Sequence, residues 1–111
     1  MTESQSLKEL FAAANALFAS GNLSGAAERY RRVLQLDPYF AQASFNLGCT
    51  LDRLCGPGEG LPHFERAAQL VPQWSEAHGN LGLALAQVGR MEEAAGEFAE
   101  ACRLAPENAG Y

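Results

Sequence analysis

Val33-Leu34-Gln35-Leu36-Asp37-Pro38, Ala67-Ala68-Gln69-Leu70-Val71-Pro72 and Ala101-Cys102-Arg103-Leu104-Ala105-Pro106 are three versions of one run, spaced 34 residues apart and each closed by a proline. A fixed period of this kind is the sequence sign of a repeat architecture. Working outward from the prolines, each run ends a helix that the proline ring cannot continue. A second, earlier helix precedes it in every period.

In the first period Ser6, or Ser4, is placed to cap a helix, with Glu9 three residues after Ser6 completing a capping box. Leu7, Leu10, Phe11, Ala14, Leu17 and Phe18 then recur at helical spacing up to Ser20-Gly21-Asn22, a C-terminal stop. The partner helix carries Ala26, Ala27, Tyr30, Val33 and Leu34 on one side, and Glu28, Arg29, Arg31 and Arg32 largely on the other. Two such helices joined by a few turn residues form an αα-hairpin. The pair recurs as 41–54 with a shorter helix ending at Leu70, and as 75–88 with 91–104. Pro57, Gly58, Gly60 and Pro62 interrupt the second period, and proline is tolerated only in a helix's first turn. That helix is therefore expected to start late, between Glu59 and Pro62.

Stacked at the period, small and large residues fall into register. Ala13 aligns with Leu47 and Leu81, Ala14 with Gly48 and Gly82, and Leu17 with Leu51 and Leu85. In the second helices Ala26, Gly60 and Ala94 align, as do Tyr30, Phe64 and Phe98, Val33, Ala67 and Ala101, and Leu36, Leu70 and Leu104. Small residues let helix backbones approach, and the large residue beside them fills the remaining space. One hairpin cannot bury both of its faces, so neighbours must stack. The fold class is all-α: a solenoid of three hairpins and six helices forming a single domain over 1–111.

Composition narrows the function. Apolar residues at 48% and charged residues at 19% belong to a folded chain. A formal net charge of -5 argues against nucleic acid and anionic membrane, both of which require a basic footprint. No basic cluster precedes an apolar core at the start, and no apolar run approaches the roughly 20 residues needed to span a bilayer. Three cysteines without paired spacing read as reduced thiols of a cytoplasmic protein. Seven arginines to one lysine suggest a bacterial genome. His63 and His78 have no Cys, Ser or Asp at motif spacing, and Cys49, Cys55 and Cys102 lack the pattern of zinc ligands. The Gly56-Pro57-Gly58 turn lacks the lysine of a phosphate loop. No catalytic residue, metal or cofactor is expected.

The chain resembles the tetratricopeptide-repeat (TPR) family. Asn46-Leu47-Gly48-x-x-Leu51 and Asn80-Leu81-Gly82-x-x-Leu85 match the family's Leu-Gly-x-x-Tyr core with Leu for Tyr. Gly60-x-x-x-Phe64 and Ala94-x-x-x-Phe98, with Pro72 and Pro106, match its second half. The repeats are 7–40, 41–74 and 75–108. Leu10, Ser44 and His78 replace the usual first-helix tryptophan, and Ala13-Ala14 replaces Leu-Gly in the first repeat. The resemblance implies a right-handed superhelix whose first helices line a concave groove for a peptide of a partner protein.

The groove slots are Lys8, Phe11, Asn15 and Phe18 in the first repeat, Gln42, Phe45, Asn46, Cys49 and Arg53 in the second, and Asn80, Leu83 and Gln87 in the third. Asp52 and Glu76 also hold groove-facing slots. The phenylalanines offer apolar anchorage and Asn15, Asn46 and Asn80 offer amides that both donate and accept. The competing reading buries Phe11 and Phe45 between first helices. A carboxylate-gripping clamp, as used by TPR co-chaperones, requires cations where this chain has Phe11, Glu76 and Asn80. That specialisation is not expected.

Two further readings concern the ends. The first repeat carries a formal charge of +1 and the third -4, which suits association of basic and acidic ends. Asn108-Ala109-Gly110-Tyr111 reads like the opening of a fourth repeat, leaving Ala95, Phe98 and Cys102 of the last helix incompletely covered. The chain is then either a unit that self-associates through that end or the N-terminal recruitment domain of a longer bacterial enzyme.

Overall fold

A computed structural model describes residues 3–105, with side chains described from Ser6. It holds six helices: α1 (Glu3–Ala19), α2 (Leu23–Leu36), α3 (Ala41–Cys55), α4 (Leu61–Leu70), α5 (Ser75–Gln87) and α6 (Met91–Leu104). Consecutive helices pack on one another, and the particle measures 45 × 26 × 22 Å, an elongated stack of three hairpins. Pro106 and the stretch read as the start of a fourth repeat lie outside the described residues.

The helix stops follow the glycines. Gly21 and Gly89 adopt φ of +89° and +88°, the left-handed region that a side chain disfavours. Each sits in the same cap: the Asn22 N–H donates to the Leu17 carbonyl at 2.8 Å, and the Arg90 N–H donates to the Leu85 carbonyl at 2.9 Å. Asn22 also caps α2, its Oδ1 accepting from the Gly25 N–H at 3.0 Å. The start of α1 differs from the expectation at Ser6. The helix already includes Glu3, the first described residue, so Ser4 and Ser6 both lie inside it and neither is its cap.

The second hairpin has the expected late start. Its connection runs from Gly56 to Gly60, and α4 begins at Leu61 with Pro62 in the first turn, where the missing N–H has no intrahelical acceptor to lose. At ten residues it is the shortest of the six helices. Asp52 holds this connection, its carboxylate accepting from the Gly60 N–H at 2.6 Å.

The core divides into two clusters along the stack. Ala14, Ala26, Ala27, Tyr30, Val33, Ala43, Leu47 and Leu51 form the first. Phe45, Phe64, Ala67, Ala68, Ala77, Leu81, Ala84, Leu85 and Ala94 form the second. Glycines set the spacing between the two helices of a hairpin. A Cβ on Gly48 would stand 2.8 Å from the Phe64 ring, and one on Gly82 would stand 2.8 Å from the Phe98 ring. The aligned register of Gly48 with Gly82 and Phe64 with Phe98 is thus a repeated contact, in which a ring of the second helix lies on the bare backbone of the first.

Candidate functional site

The first helices α1, α3 and α5 share one face, and two depressions open on it. The larger, about 410 Å³, is lined by Asn15, Phe18, Tyr30, Phe45, Asn46, Cys49 and Arg53. The smaller, about 220 Å³, is lined by Cys49, Asp52, Arg53, Phe64, Asn80, Leu83 and Gln87. Cys49 and Arg53 belong to both, so the depressions adjoin across α3.

Of the residues expected in the groove, Asn15, Phe18, Phe45, Asn46, Cys49, Arg53, Asn80, Leu83 and Gln87 therefore line these depressions. Lys8, Phe11 and Gln42 do not. Lys8 is exposed on α1. Phe11 packs into the first core cluster, its ring centroid 4.7 Å from Phe40 and 6.0 Å from Tyr30. Gln42 reaches the site indirectly, its Nε2 donating to Asn46 Oδ1 at 3.0 Å. Phe45 is 8% exposed, stacked 4.7 Å from Trp74 and edge-on to Phe64 at 5.7 Å. Its ring forms the floor of the larger depression more than a projecting anchor.

The amides are already organised among themselves. Asn15 Oδ1 accepts from the Tyr30 hydroxyl and from Asn46 Nδ2, the latter at 3.1 Å. Asn46 in turn is fixed by Gln42, so a chain of hydrogen bonds runs from α3 through α1 to α2. Asn80 Nδ2 donates to Cys49 Sγ at 3.7 Å, joining α5 to α3. Polar links of this kind hold side chains in one geometry before any ligand arrives.

Arg53 gives the larger depression its charge. Its guanidinium lies over the Phe18 ring, 4.7 Å from the centroid, an arrangement attractive to the ring's negative face. Among the described residues the ion pairs join His78, Arg90 and Arg103 to Glu97, Glu93 and Glu100, and none includes Arg53. Burial holds the Cys49 thiol above its ordinary value, and the nearby Asp52 charge adds to this against Asn80 and Arg53. A thiol so held is the protonated, weakly nucleophilic form. Burial likewise raises the Tyr30 phenol, so its hydroxyl remains a donor to Asn15.

Reading the residues alone misses Tyr30 and Phe64 as lining residues, and Trp74 as the ring packed behind Phe45. Tyr30 aligns with Phe64 and Phe98 as a core ring, and only its hydroxyl marks the difference. Trp74 follows Phe40 by one period, and both rings stack 4.7 Å from their partners, Phe45 and Phe11. His78 also has a partner that motif spacing does not reveal, Glu97 of α6, at 2.7 Å.

Comparison with known proteins accords with this architecture. No curated protein matches the sequence. Among solved structures the chain is similar to the first TPR of Spaghetti (RPAP3) bound to HSP90 peptide SRMEEVD, with 24% identity and a TM-score of 0.87 over 95% of this chain and 83% of that one. The Arabidopsis OM64 TPR domain is 20% identical, with a TM-score of 0.88 over 96% of this chain and 88% of that one. A Thermobaculum terrenum O-GlcNAc transferase mutant is 26% identical with a TM-score of 0.85, covering 96% of this chain, which spans only 21% of the transferase. Residues 14–52 match the TPR repeat family, and residues 48–109, more than half of the sequence, match the tetratricopeptide repeat family. With two family matches and six helices in three stacked hairpins, the chain belongs to the tetratricopeptide-repeat family.

Proposed function

We propose that the protein is a non-enzymatic interaction module that holds a peptide segment of a partner protein along the α1, α3 and α5 face. The observation that carries this reading is the 410 Å³ depression, where Phe18, Tyr30 and Phe45 offer apolar surface beside the asparagine network and Arg53. An apolar side chain of the partner occupies the depression, and the partner's main chain pairs with the amides. Asparagine carries two donors and two acceptor lone pairs, so Asn46 has further capacity after its bonds to Asn15 and Gln42.

Peptides selected from a display library against the folded protein test this reading. Amide resonances of Asn15, Phe18, Asn46, Cys49 and Arg53 should move on titration, and the pair Asn46→Ala with Asn80→Ala should weaken binding by about 1–3 kcal/mol. Shifts confined to α2, α4 and α6, or an unchanged affinity, would refute it.

A second reading, a recruitment segment of a longer enzyme, is favoured by the similarity to a transferase of which this chain spans 21%. The mass of the protein recovered from its source cell decides it. A mass near 11.9 kDa removes this reading.

A further inference from the structure

Around the larger depression the hydrogen-bonding groups are unevenly matched. Asn15 Oδ1 accepts from the Tyr30 hydroxyl and from Asn46 Nδ2, which occupies both of its lone pairs. Asn46 Oδ1 already accepts from Gln42. The donors are less used. Asn46 Nδ2 keeps an N–H after its bond to Asn15, and Asn15 Nδ2 donates to no described residue. Arg53 likewise has no acceptor among the described residues, and its contact is with the Phe18 ring. A π face restrains a guanidinium without pairing its charge, so the N–H fork stays open to a ligand. Charge points the same way. Arg53 is the charged residue of the larger depression, whereas Asp52 lines only the smaller one, bonded to the Gly60 N–H, and Glu76 lines neither.

We propose that the bound segment carries an aspartate or glutamate beside the apolar side chain that enters the larger depression. This rests on the peptide-binding reading above and adds the partner's charge to it. The acidic side chain pairs with the Arg53 fork, while the unused N–H groups of Asn15 and Asn46 take main-chain carbonyls next to it. A carboxylate brings acceptors and no donor, which suits a rim with spare N–H groups and few spare lone pairs. A lysine or arginine at that place would bring donors that find few acceptors, and a charge that Arg53 repels. The carboxylate belongs to a side chain and not to a chain terminus. The two depressions adjoin at Cys49 and Arg53, so a segment lying over both continues past Arg53 on either side.

Display of random segments held at both ends within a carrier protein, so that no free terminus is offered, tests the proposal. Segments retained by the wild-type protein should place Asp or Glu beside a Leu, Met or Phe. Arg53→Gln should lose the acidic preference and keep the apolar one, and Arg53→Glu should favour Lys or Arg instead. A retained segment, synthesised with both ends blocked, should bind the wild type roughly three- to tenfold more weakly once its acid is replaced by the amide. That loss should shrink as salt rises and vanish in Arg53→Gln. Arg53 is exposed, so both variants should keep the wild-type circular dichroism; should either unfold, the acid-to-amide loss and its salt dependence on the wild type still decide. Apolar segments retained without acidic enrichment, at unchanged affinity in Arg53→Gln, overturn the proposal and leave the peptide-binding reading standing. An acid effect that persists in Arg53→Gln, or binding that requires a free C-terminal carboxylate, also overturns it. If neither held nor free-ended segments are retained, the peptide-binding reading falls with it.

Discussion

Gly48, Gly60 and Gly82 show how much a single missing side chain decides in a stack of this kind. A Cβ on Gly60 would stand 2.2 Å from the Gly48 carbonyl oxygen, and a main chain cannot swing aside as a side chain can. Gly60→Ala should therefore cost about 3 kcal/mol, the upper end of overpacking. A Cβ on Gly48 meets the buried Phe64 ring, itself held by Phe45, whereas a Cβ on Gly82 meets Phe98, which lies half-buried at the outer helix. Alanine also gains about 1 kcal/mol over glycine inside a helix. Gly48→Ala should thus destabilise by roughly 1–2 kcal/mol while Gly82→Ala stays near neutral and Gly82→Leu costs roughly 1–3 kcal/mol. Urea midpoints of the four variants check the order; equal costs at Gly48 and Gly82 would mean that the Phe98 ring is as firmly held as Phe64. These glycines are legible in the sequence because the period aligns them with their rings. The Asn15–Asn46 bond is not legible, because two residues 31 positions apart meet only once the angle between adjacent hairpins is fixed.

Individual helices differ by how their ends are held. The first and third hairpins share one turn, with a left-handed glycine and a bond back to the carbonyl five residues earlier. The second departs because its proline and glycines postpone α4, and Asp52, which falls among the groove slots by spacing, is also needed at the Gly60 N–H. Its second role was hidden in the sequence, since a carboxylate that borders a groove and one that closes a loop occupy the same helical position.

Two histidines have opposite pH responses, and one of them, His78, ties α5 to α6. His78 faces acceptors from both nitrogens, Glu97 Oε1 at 2.7 Å and the Pro72 carbonyl at 2.8 Å, and only the imidazolium can donate to both. Burial pulls His78 down, but the bonds to Glu97 and Pro72 and the charges of Glu97 and Glu100 outweigh it, so the net shift is upward from 6.5. The folded state then binds the proton more tightly, and the stability His78 contributes is fully present below 6.5 and lost as pH rises through its raised value. His63 is shifted down from 6.5 by burial and by Arg31, so its contribution is present above 6.5 and lost as pH falls through its lowered value. Urea midpoints measured against pH should lose their decline above pH 6.5 in His78→Gln, and their acid-side decline should lessen in His63→Gln. Unchanged profiles would show that neither ring changes its protonation on folding.

At the scale of the whole molecule, contacts run between neighbouring helices along a 45 Å axis, so stability is distributed repeat by repeat. The first two repeats each own a cluster of three rings: Phe11 with Tyr30 and Phe40, and Phe45 with Phe64 and Trp74. In the third the first of these positions is Gly79, so Phe98 lacks that aromatic partner. Native-state hydrogen exchange should accordingly show the middle of α6 opening before the middle of α3. Uniform protection from α3 to α6 would instead indicate that the three hairpins open as one unit. The stacking itself was readable from the proline period, since a hairpin with two apolar faces has no other way to cover them. The difference between a groove wall and a core ring was not, because Phe11 and Phe45 occupy equivalent positions and yet only Phe45 borders the depression.

Trp74 gives the protein an optical property. It is the chain's only tryptophan, and it stacks on Phe45, whose other surroundings include the larger depression. An indole so placed emits according to the polarity and packing one ring away from the site. Water leaving the depression, or a side chain entering it, should therefore be reported by the native emission spectrum, without a dye or a label.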